Sequence, residues 1–195
     1  MDRIILGSGD LYIAEYDGET APTVTALKKT ENQVGEISSG ATLEYTNETY
    51  TAKSDNGKRQ KTVITNETVV LSPGLCSLDE AKIVRLIPTA RVAEDAANKK
   101  TVIKIGGTNN DNGKSYAILF YHTDKTDGDI AVMVVGKNTN GLTLTFKKEN
   151  ETILEPKFTA EPNDDDGTLV ILEFYDSDAT SVQTQAAGAG AKSVK

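Results

Sequence analysis

Apolar residues along this chain recur mostly in steps of two, in short runs set off by turn residues. That is the pattern of half-buried β-strands. DLYIAEY (10–16) comes first and is closed by Asp17-Gly18. Later runs are KTVIKIGG (100–107), KSYAILFYH (114–122), DIAVMVV (129–135), LTLTFKK (142–148), ILEPKFTAE (153–161) and TLVILEFY (168–175). TNNDNG, TDKTDG, GKNTNG and PNDDDG stand between them, and such clusters of Asn, Asp, Thr and Gly suit tight turns. Only one stretch follows a helical period well. In SLDEAKIVRLI, Ser77 stands where an N-cap belongs and Glu80 follows three residues later, as in a capping box. Leu78, Ala81, Ile83 and Val84 then give a loose apolar stripe, while VAEDAANKK (92–100) is a weaker helix candidate. One helix against about nine strands predicts a mainly β fold, an antiparallel sandwich or barrel with one flanking helix.

One pair of runs is odd as a core element. ATLEYTNETYTAK (41–53) and RQKTVITNETVVL (59–71) flank SDNGK, whose Asn56-Gly57 is the strongest hairpin signal in the chain. Alternation places Thr42, Glu44, Thr46, Glu48 and Tyr50 on one face of the first arm. Leu43, Tyr45, Asn47, Thr49 and Thr51 take the other. Read the same way, the return arm carries Thr62, Ile64, Asn66, Thr68 and Val70 on one face, and Val63, Thr65, Glu67, Val69 and Leu71 on the other. Both arms are semi-apolar near the base and polar toward the tip. A long two-stranded ribbon is marginal alone in water, and its free edges invite strand addition. It needs a partner, and the simplest is another copy of the same chain.

Composition narrows the classes. A chain of 195 residues has room for one domain with a sizeable core. Its 29 acidic and 21 basic residues give a net charge of −8, against nonspecific adhesion to nucleic acid or an anionic membrane, which needs a basic face. DSDATSVQTQAAGAGAKSVK (176–195) has no aromatic residue and hardly an aliphatic anchor, so a flexible tail is expected to follow a β domain spanning 1–175. MDRIILGSGDLYIAEY offers no charged leader with a long apolar core, and no run approaches the ~18 apolar residues of a spanning helix. The expectation is a soluble chain made in a cytoplasm, with no membrane partner.

Candidate chemistry is thin. Cys76 is the one cysteine, so no intramolecular disulfide forms, and His122 is the one histidine available as a base for it. Cys76 reads as a small packing residue and His122 as a polar strand end. Asn163–Gly167, NDDDG, could offer hard oxygen ligands to calcium. It lacks the twelve-residue loop with its closing Glu, and reads as a turn. A glycosidase carboxylate pair wants aromatic platforms around a sugar; the chain has no Trp, and its acids are spread over turns. LGSGD (6–10) is followed by no helix whose N-terminus could hold a phosphate. The Asn-Glu-Thr triplets at Asn47, Asn66 and Asn150 match the glycosylation sequon, but without a leader they read as strand and turn residues. No catalytic residue, cofactor or metal is expected, and the chain is read as non-enzymatic.

Three segments together carry a resemblance: ILGSGDLYIAEY, VGEISSGATLEYTNETYTAKSDNG with KTVITNETVVLSPGLCSL, and GDIAVMVVGKNTNGLTLTFKKENETILEPKFTAEPNDDDGTLVILEF. In order and character they resemble the major tail (tail-tube) proteins of long-tailed, non-contractile phages, chiefly those of Gram-positive hosts, over roughly residues 4–175. The resemblance implies a β-sandwich or barrel with a flanking helix and a long protruding hairpin. It implies a structural virion protein whose hexameric rings stack into a tube, with double-stranded DNA only passing through the lumen. Implied partners are further copies and the tape-measure, tail-terminator and distal tail proteins; the implied location is the virion tail, assembled in the host bacterial cytoplasm. On this reading Thr42, Glu44, Thr46, Glu48, Tyr50, Thr62, Ile64, Asn66 and Thr68 are the candidates for intersubunit or lumen contact. The alternative is a monomeric adhesin, carbohydrate-binding or virion decoration domain using Tyr12, Tyr16 and Tyr121 as a platform.

Overall fold

The computed structural model, described over residues 9–77, 79–143 and 153–177, is a mainly β chain with little helix. Its strands are β1 (Asp10–Glu15), β2 (Gln33–Lys53), β3 (Gln60–Leu75), β4 (Arg91–Asp95), β5 (Lys100–Lys104), β6 (Tyr116–His122), β7 (Ile130–Asn138), β8 (Phe158–Ala160) and β9 (Val170–Phe174). Every pairing between them is antiparallel. The main sheet runs β6-β1-β2-β3-β8-β7-β9, and β7 also pairs with β6, so six strands close into a ring. β8 and β9 share one edge of β7, at Gly136–Asn138 and Ile130–Val134 respectively. The excursion 161–169 joins them. At Gly136, where β7 changes partner, a Cβ would lie 2.0 Å from the Thr159 carbonyl oxygen, so only glycine fits the approach.

The ring encloses the larger core. Leu11 and Ile13 of β1, Leu71 and Leu75 of β3, Ile118 of β6, Val134 of β7 and Phe158 of β8 are fully buried within it. A second core lies on the opposite face of the same strands, where Tyr12, Leu119 and Met133 pack with Val24 and Leu27. The last two belong to α1 (Val24–Leu27), a single turn that the Thr23 hydroxyl caps by accepting from the Ala26 amide. Burial on both faces explains why YAILFYH and IAVMVV are nearly unbroken apolar runs.

The expected helix is shorter than its capping box suggests. Residues 80–82 form a 3-10 turn capped by Asp79, whose carboxylate accepts from the Ala81 amide, and α2 (Ile83–Leu86) adds one turn. Ser77 is not the cap: its hydroxyl accepts from the Glu36 amide across the sheet, 2.8 Å away. The buried side is Ile83, Leu86 and Ile87, while Ala81 is exposed. The Asn138 amide, donating to the Leu86 carbonyl at 2.7 Å, ties this turn to β7.

Other elements differ from the sequence pattern. VAEDAANKK is a hairpin, β4 turning into β5 through Asp95–Lys100, rather than a helix; its cross-strand pairs run from Arg91↔Lys104 to Asp95↔Lys100. β2 begins at Gln33, eight residues ahead of the expected start, and its first part pairs with β1. The run 153–161 shortens to β8 plus a bridge between Leu75 and Leu154. Leu142 and Thr143 are not in a strand, and the rest of LTLTFKK lies outside the described residues. So do Leu6–Ser8 of LGSGD, Leu78 of the apolar stripe, Asn150, and 178–195 of the expected tail. No helix among the described residues is long and apolar enough to cross a membrane.

Candidate assembly surface

β2 and β3 leave the ring as a ribbon. Among the described residues, β2 beyond Ile37 pairs only with β3, and β3 before Val70 pairs only with β2, so each arm carries an edge unpaired by them. From Glu44↔Val70 to Lys53↔Gln60 the ribbon extends about 33 Å at ~3.3 Å per residue. Ser54 and Asn56 build its turn. The Asn56 side-chain oxygen accepts from the Ser54 hydroxyl and the Lys58 amide, and the Ser54 hydroxyl accepts from the Arg59 amide. Gly57 closes the turn at φ +67, a conformation other side chains rarely adopt.

A bulge redistributes the faces. Glu48 pairs with Asn66, but Thr49 pairs with Ile64, leaving Thr65 as an extra residue whose hydroxyl donates to the Glu48 carbonyl at 3.2 Å. One inserted residue inverts the alternation beyond it. Thr42, Glu44, Thr46, Glu48 and Tyr50 therefore share a face with Asn66, Thr68, Val70 and Val63. Thr62 and Ile64, expected beside Asn66 and Thr68, fall on the opposite face with Tyr45, Asn47, Glu67 and Thr49. Nothing in the sequence pattern marks Thr65 as the bulge.

That second face continues the inside of the ring. Leu71 and Val69 are buried at its base, and farther out the Tyr45 hydroxyl donates to the Glu67 carboxylate at 2.5 Å. The Thr51 and Thr62 hydroxyls, 2.8 Å apart, pair across the strands near the tip. Four large apolar side chains stay in solvent: Tyr50 at 61% exposure, Ile64 at 55%, Tyr45 at 51% and Val63 at 40%. At the base an apolar hollow of about 430 Å³ opens among Leu43, Leu71, Phe120, Val132, Leu172 and Phe174. Leu172 and Phe174 are about half exposed although they pair opposite the buried Val132 and Ile130. Nothing in the sequence marks these β9 residues, because TLVILEFY has the pattern of any half-buried strand.

The other candidates resolve differently. Cys76 follows β3 and His122 ends β6, with β1 and β2 between those strands, about 14 Å at ~4.8 Å per strand. The Cys76 thiol donates to the Glu36 carbonyl at 3.4 Å. NDDDG is a turn: the Gly167 amide donates to the Asp164 carbonyl and the Thr168 amide to the Asp164 carboxylate. Hydrogen bonds from the Thr168 side chain and amide hold the Asp164 carboxyl below its usual range. No group of three His, Cys, Asp or Glu residues among the described residues is placed to hold a metal ion.

Tyr12 and Tyr121 are buried and do not form a solvent-facing platform with Tyr16. Tyr121 donates to the buried Asp129 carboxylate at 2.6 Å. Burial and that hydrogen bond push its phenol well above the ordinary value. Tyr175 donates to Glu173 and is pushed up to about 12, chiefly by burial. These are structural phenols.

No protein-family model and no curated protein matches this chain.

Proposed function

We propose that this chain is the tail-tube subunit of a long-tailed phage, a structural virion protein whose copies join through the β2–β3 ribbon. Hexameric rings built this way stack into a conduit through which double-stranded DNA passes into the host. The observation that carries the reading is the ribbon itself. It holds four large exposed apolar side chains and, among the described residues, two unpaired edges on an arm about 33 Å long. A ribbon in that state gains stability by pairing and burial against another chain. Beside its base, β9 pairs only with β7 among the described residues and carries the half-exposed Leu172 and Phe174. Tape-measure, tail-terminator and distal tail proteins are the further partners in this reading, at the core and ends of the tube.

The face with Glu44 and Glu48 points away from the ring's interior at the base, because Leu43 and Leu71 point into it. That face is the proposed lumen lining, since unpaired carboxylates repel phosphates and let DNA slide. Size exclusion with light scattering on the purified full chain tests the reading. Assemblies that grow with concentration are expected. A monomer of 20.9 kDa at every concentration would favour the decoration or adhesin alternative.

A further inference from the structure

Charge is unevenly placed on this chain. Around the ribbon turn, Lys53, Lys58, Arg59 and Lys61 surround one carboxylate, Asp55, so the tip carries +3 on a chain of net −8. All five are exposed, and none of the four cations makes an ion pair among the described residues. Loops 16–20 and 162–168 hold the reverse. Asp17, Glu19, Asp164, Asp165 and Asp166 stand there without a cation in either segment, and none of the five is ion-paired among the described residues. The two loops face one another across a cleft of about 340 Å³ lined by Tyr16, Glu19, Asn163, Asp164 and Asp165.

Asn163 supplies an independent sign that something belongs in this cleft. It is 3% exposed, and neither its side-chain nitrogen nor its oxygen has a hydrogen-bond partner among the described residues. Buried amides are nearly always paired, so one left bare beside a cleft marks an unmade contact. The cleft's carboxylates are not grouped for a metal ion. They suit instead the planar fork of an arginine or the ammonium of a lysine, both of which donate to carboxylate and to amide oxygen.

We infer that this acidic cleft receives the basic ribbon tip of a neighbouring copy, with Arg59 and the tip lysines on its carboxylates and Asn163 drawn into the contact. The inference rests on the tube reading and names the receiving surface for the tip of the ribbon. No tip cation meets a carboxylate of its own chain among the described residues, so the contact is assigned to a pair of chains.

The test uses full-length chains. Lys58→Glu/Arg59→Glu and Asp164→Lys/Asp165→Lys should each raise the concentration needed for assembly at least tenfold, and mixing the two variants should restore it. Carbodiimide coupling of mixed light and heavy isotope-labelled wild type should join tip lysines to residues 164–166 of the other chain. Assembly of the tip variant at the wild-type concentration, with no such cross-links, would overturn the docking and leave the tube standing. Assembly that ignores the tip but needs added calcium, and is lost in the cleft variant, would overturn it in favour of a metal ion. A wild type that stays monomeric and gives no inter-chain link would overturn both readings.

Discussion

Tyr121 shows how a single residue ties stability to pH. Its phenol donates a hydrogen bond to the buried Asp129 carboxylate, and burial together with that bond raises its pKa in the folded chain. A raised pKa means the folded state holds the proton more tightly than the unfolded chain. The stabilisation is therefore complete below about pH 10, the unfolded value, and is lost as pH climbs toward the folded one. Tyr175, pushed up to about 12, acts in the same direction. Denaturant unfolding at about pH 9 and about pH 11 should show a clear fall at the higher pH. Tyr121→Phe should lose about 1.5–3 kcal/mol at neutral pH, the worth of a hydrogen bond to a charged group, while flattening the alkaline decline. An equally steep decline in that variant would assign the effect elsewhere. On the ribbon, Glu44→Lys/Glu48→Lys should leave assembly largely intact yet slow DNA passage at low salt, with recovery as salt rises. Unchanged ejection kinetics at low salt would place that face away from DNA.

At the scale of elements, the short helix separates what patterning revealed from what it did not. Ile83 and Leu86 are buried against the ring, where each such side chain contributes about 1.5–3 kcal/mol, and Ala81 is exposed. Ile83→Asp should give unfolded or insoluble protein, whereas Ala81→Asp should be tolerated; solubility and thermal melting distinguish them. Equal tolerance of both would show that α2 is peripheral. The capping box misled because Ser77 has a stronger use, closing the sheet at the Glu36 amide. VAEDAANKK misled in another way, since its helix formers were overridden by pairing of Val92 with Ile103. The ribbon was legible from Asn56-Gly57 and the β-prone residues around it. Its bulge was not, because a threonine inserted among threonines leaves no periodic trace, and that one residue moves Thr62 and Ile64 to the other face.

For the whole molecule, the strand-dominated pattern conveyed the class, and the apolar runs of β6 and β7 foreshadowed burial on both faces. Closure of the ring was not legible, since it depends on β7 sharing one edge between β8 and β9 across a nine-residue excursion. The cleft at Asn163 was hidden as well, because NDDDG has the composition of any turn and its neighbour in space, Glu19, lies far away in sequence. In the proposed function the ribbon builds a tube from copies of this chain. Thr49 and Ile64 pair directly, so replacing Tyr50–Val63 with Asn-Gly should shorten the ribbon to a two-residue turn without disturbing the ring. Negative-stain electron microscopy of both purified proteins at equal concentration tests the claim most directly. Rings or tubes from the full chain and folded single particles from the shortened one are expected; tubes of normal length from the shortened chain would contradict the account.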